Sequence, residues 1–113
     1  MEAFYRRAIT DQRELVTTNY ILAELIALLT ARARMPRDRL LAVVDRLRKS
    51  TRVHIVQVDS TIDEQAWLLL HQHMDKAWSL ADAASFVVMR QRGITEAFTS
   101  DHHFIQAGFV RLP

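Results

Sequence analysis

A chain of 113 residues, half of them apolar, is long enough for one domain with a modest core. It has no cysteine, which excludes disulfides, cysteine-based zinc sites and thiol nucleophiles. The formal charge is only +2, yet the basic side chains are nearly all arginine, with lysine only at positions 49 and 76; arginine suits bidentate phosphate contacts, and a solvated helix face explains it equally well.

Residues 2–9 are expected to form a short helix. Leu15–Thr18 is β-branched and apolar and reads as a strand, after which Asn19 offers a helix N-cap. Residues 20–34 form a helix that is apolar on nearly every side until its basic end. Pro36 opens the next helix, Arg37–Lys49, whose Leu40, Leu41, Val43, Val44 and Leu47 make an apolar stripe. Val and Ile are dense over residues 53–58, the clearest strand. Ser60 caps a helix over 61–74, and residues 75–78 form a loop. Ser79 caps Leu80–Arg92, which Gly93 stops. Residues 97–100 form a short strand, Asp101 caps a brief helical turn, and 109–112 form the last strand. Helices alternating with apolar strands indicate an α/β fold with a parallel sheet. No apolar run reaches transmembrane length and the first residues do not resemble a signal peptide, so a soluble, cytoplasmic protein without a membrane partner is expected.

Three acids stand out. Glu24 is the only charge between Tyr20 and Ala31. Burying it is costly unless it is paired, hydrogen-bonded or metal-bound, although a Glu near a helix N-terminus can also reach solvent. Asp82 lies three residues after Ser79, the spacing of a capping box, so a structural role competes with a functional one. Asp101 follows a strand and serves equally well as a cap. All three fall where strands end and helices begin, at one edge of a parallel sheet, where ligands generally bind. Carboxylates held close together repel, so such a cluster implies a bound cation, and oxygen-only ligation points to Mg²⁺ or Mn²⁺. The histidines are weaker: His71 and His73 lie on different helix faces, and His102 and His103 read as surface imidazoles. Trp67 and Trp78 read as core or interface residues. No phosphate-binding glycine loop or nucleophile elbow is present.

Three motifs together resemble the PIN domain: residues 15–24 (LVTTNYILAE), 79–90 (SLADAASFVVMR) and 97–104 (AFTSDHHF) followed by Gly108-Phe109. The likeness is greatest to the toxin ribonucleases of bacterial toxin–antitoxin pairs. The resemblance implies a three-layer α/β/α fold around a parallel sheet and Mg²⁺- or Mn²⁺-dependent endonucleolytic cleavage of RNA. It implies that Glu24, Asp82 and Asp101 match the family's second, third and fourth acids, and that Thr99 matches a hydroxyl residue before the last acid. An antitoxin is the implied protein partner. One departure stands out: the family's first strand, its terminal Asp and the following helix have no counterpart, and Asp11 does not match the missing acid. Residues 1–113 are thus expected to be a single, N-terminally incomplete PIN-like domain, from a late start or a fragment. Its sheet would lack the usual central strand, and a homodimer, formed by strand swapping or strand addition, is the expected physical consequence. The alternative function is a non-catalytic module in which helices 20–34 and 37–49 form a groove for an antitoxin-like partner or a second copy.

Overall fold

The computed structural model describes residues 3–6, 14–99 and 102–112. In chain order the elements are β1 (Ala3–Arg6), β2 (Leu15–Thr18), α1 (Asn19–Ala31), α2 (Arg37–Lys49), β3 (Val53–Val56), α3 (Ser60–Gln72), α4 (Leu80–Arg92), β4 (Glu96–Thr99), α5 (His103–Gln106) and β5 (Val110–Leu112). The strands form one sheet in the order β3-β2-β1-β4-β5. The pairs β2–β3 and β4–β5 are parallel, each joined through helices as parallel pairing requires.

The centre of the sheet corrects the expected helix over residues 2–9. Ala3–Arg6 is a strand, antiparallel to both neighbours, with Tyr5 opposite Val16 on one side and Ala97 on the other. The central position expected to be empty is filled from within the chain. Phe4 and Tyr5 are residue types that favour strands. Two inner edges that would otherwise leave their N–H and C=O groups unpaired supply the rest. Local propensity alone could not reveal this, because the partners lie 9–11 residues away on one side and 90–96 on the other.

Helix α4 is the structural hub. Residues Ala81 to Met89 are all buried, and α1, α3, α5 and β2 pack around it. Four of those nine are small, Ala81, Ala83, Ala84 and Ser85, so neighbours approach closely on several sides. Ser85 satisfies its hydroxyl on the Ala81 carbonyl, 2.9 Å away. From the middle of α4, Phe86 meets Trp78, Phe104 and Phe109 at ring-centroid distances of 5.0, 4.9 and 5.7 Å. Trp78 is therefore core, whereas Trp67 is half exposed. At its other end α4 stops at Gly93, whose φ of +67° is the left-handed turn glycine adopts without Cβ strain.

Two caps shift by one residue from expectation. Thr18, not Asn19, caps α1, its hydroxyl accepting from the Ile21 N–H at 3.2 Å. Asn19 instead accepts from the Val58 N–H at 2.8 Å, tying the exit of β3 to the β2–α1 junction. Asp59, not Ser60, caps α3. Tyr20 adds a further tie, its hydroxyl donating to Asp63 Oδ1 at 2.8 Å, which raises the Tyr20 pKa above its ordinary value.

Candidate metal centre

Asp82 is the best-defined acid. It is the third residue of α4 and completely buried. The capping box read from the sequence is present: the Asp82 N–H donates to Ser79 Oγ, and the Ser79 N–H donates to Asp82 Oδ2, both at 3.0 Å. The helix dipole favours a carboxylate here as well. Oδ2 accepts a second bond, from His103 Nδ1 at 2.9 Å. A carboxylate oxygen only accepts, so the ring proton sits on Nδ1. Oδ1, by contrast, is buried with no hydrogen-bond partner among the described residues.

Capping and a second role are therefore not exclusive. One oxygen completes the cap and the other is left over. A buried carboxylate oxygen without a donor is costly and calls for a positive partner. Hard oxygen ligands suit a divalent cation such as Mg²⁺ or Mn²⁺, so the donor chemistry at Asp82 fits that group.

Glu24 lies in the second turn of α1, the helix that packs on α4. Its residue is partly exposed, but Oε1 is shut off from solvent. The helix is less uniformly buried than its composition suggests: Ile21, Leu22 and Leu25 face the core while Ala23 and Ala27 are exposed. Thr99 is the last residue of β4, and Asp101 lies outside the described residues. Among the described residues, no three His, Asp or Glu gather as a metal-holding group.

His103 departs from the surface position expected for it. Its side chain is only 17% exposed and bonded to Asp82. Helical spacing tests contacts within one element, and this contact spans 21 residues between α5 and α4. His102 is exposed, as expected, and His71 is exposed as well. His73 bonds the Leu69 carbonyl at 3.0 Å and stacks on Trp78.

Charge is unevenly distributed. Residues 32–52 hold eight Arg or Lys and two Asp, a formal +6 against +2 for the whole chain, which leaves −4 for the rest. All eight cations, in α2 and the segments flanking it, are exposed. No described helix is long and apolar enough to cross a membrane.

The PIN domain family model matches residues 2–110, and the chain belongs to that family. It is a homologue of the 23S rRNA-specific endonuclease VapC20 of Mycobacterium tuberculosis: two strains, CDC 1551/Oshkosh and H37Rv, carry a protein 37% identical over 97 residues, spanning 86% of this chain and 72% of the relative. The crystal structure of M. tuberculosis VapC20, described as a sarcin–ricin loop cleaving toxin, superposes with a TM-score of 0.76 at 38% identity, covering 84% of this chain and 71% of that one.

Proposed function

We propose that this chain is a divalent-metal-dependent endoribonuclease of the toxin type, acting on a structured RNA such as the ribosomal RNA loop cut by its relative. The observation that carries the reading is the buried Asp82, whose Oδ2 is fully engaged and whose Oδ1 has no partner among the described residues. Glu24, Asp82 and Asp101 would hold the ion, Mg²⁺ or Mn²⁺, with Thr99 beside the last acid. Held by these carboxylates, such an ion would supply Lewis acidity for activating water and offsetting charge on the phosphate. The chain's own task is to fix the carboxylates on rigid elements and to draw the RNA backbone in through arginine.

The test is RNA cleavage and Mn²⁺ binding by the protein and by Glu24→Gln, Asp82→Asn and Asp101→Asn. Loss of both properties in the variants supports the reading; unchanged metal binding in all three sinks it.

A protein partner belongs to the same reading. Leu41 and Val43 on α2 are 43% and 37% exposed, apolar surface that an antitoxin segment would cover. The homodimer expected from the sequence no longer rests on an unpaired sheet centre, since β1 fills it. A dimer would instead use exposed apolar side chains such as Trp67 and Leu68 of α3. The non-catalytic alternative predicts peptide or self-association without Mn²⁺ binding, which calorimetry separates from the enzyme.

A further inference from the structure

Resting on the metal-site reading above, we infer that His103 is a positioning residue for Asp82: its Nδ1–H fixes Oδ2 so that Oδ1 is the oxygen presented to the ion. Two donors converge on Oδ2, the Ser79 N–H and His103 Nδ1, and none of the described residues donates to Oδ1. Turning the carboxylate away from this orientation would break both bonds inside a fully buried site. A carboxylate held this way is already oriented before any ion arrives, and groups that orient metal ligands contribute to affinity.

The bond also joins two chain segments. His103 opens α5, two positions after Asp101 in the sequence, while Asp82 lies in the first turn of α4. The bond therefore holds the start of α5 to the first turn of α4. Anchoring α5 does not depend on it alone. The next residue, Phe104, is completely buried and packs edge-to-face on Phe86, and the Ala107 carbonyl accepts from Arg90 at 3.2 Å. These contacts hold α5 alongside the His103–Asp82 bond, so loss of the imidazole need not release the helix.

Titration calorimetry with Mn²⁺, alongside the melting temperature of the metal-free protein, tests this on the full chain and on H103L, H103N and H103Q. Asparagine carries an N–H near the place of Nδ1, whereas the glutamine amide reaches one bond further. H103L is expected to melt a few degrees lower, the cost of one bond to a buried carboxylate, and to lose about 10- to 100-fold in Mn²⁺ affinity. H103N recovers most of that loss and H103Q does not. In RNA cleavage the loss falls on kcat rather than on KM for RNA. Mn²⁺ binding by H103L equal to the parent overturns the inference. If H103L fails to fold, the two amides decide, and equal affinity in H103N and H103Q overturns it. A parent chain that binds no Mn²⁺ overturns the metal-site reading itself, a result visible before any variant is compared.

Discussion

Asp82 shows how one side chain serves two roles by dividing its oxygens. Asn keeps capping ability close to that of Asp, so Asp82→Asn is expected to shift stability by no more than about 1 kcal/mol. Cleavage should nonetheless fall by at least ~100-fold, since a ligand is worth more than the groups that orient it. Urea unfolding alongside an RNA cleavage assay separates the two effects. Tyr20 makes a different prediction. Its hydroxyl donates to Asp63, so the folded state holds that proton more tightly than the unfolded chain does. The resulting stability is fully present below the unfolded tyrosine pKa near 10 and is lost as pH rises through the higher folded value. Tyr20→Phe should cost about 1 kcal/mol at pH 8, near the low end for a bond to a carboxylate because the pair is only partly buried. It should also flatten the decline in stability above pH 10, as denaturant titrations at several pH values would show. At this scale much was legible in the sequence. Asp82 and its capping box follow from the spacing Ser79-x-x-Asp82. His103 does not, because its partner lies in another element.

Among the elements, the helices were the most readable. Arg37–Lys49 and Leu80–Arg92 begin and end where periodicity, Pro36 and Gly93 place them. Gly93→Ala tests the stop signal: no atom lies within 4 Å of an added Cβ, so the cost is backbone strain alone, about 1–2 kcal/mol by urea titration. Caps shifted by one residue because Thr18, Asn19, Asp59 and Ser60 are all competent cap residues, and only the tertiary bond from Val58 to Asn19 distinguishes the first pair. Helix α2 and its flanks carry the basic surface, and arginine contacts to phosphate should make RNA binding salt-dependent. Reversing two exposed charges, Arg37→Glu with Arg39→Glu, should weaken RNA binding. It should also lower the slope of log affinity against log salt by about 1.5 to 2. Mn²⁺ affinity should not change. An unaltered salt slope would remove α2 from the RNA interface.

For the whole molecule, the sheet was legible apart from its centre. The parallel pairs β2–β3 and β4–β5 follow from alternating strands and helices. The antiparallel β1 does not, since nothing in the sequence from residue 3 to residue 6 states that two distant edges need a partner. Tyr5→Pro removes a backbone donor from the middle of the sheet and is expected to destabilise the protein by on the order of 2–3 kcal/mol and promote self-association. Sedimentation and thermal melting measure both. The central claim is that the sheet and α4 together present an acidic, metal-binding edge to RNA. Its most direct test is cleavage of a sarcin–ricin stem-loop RNA with Mn²⁺, with the ion chelated, and by Asp82→Asn. A discrete cut that needs Mn²⁺ and is lost in Asp82→Asn is the expected result. RNA left whole by the parent protein with Mn²⁺ present, or cut equally after chelation or by Asp82→Asn, contradicts it.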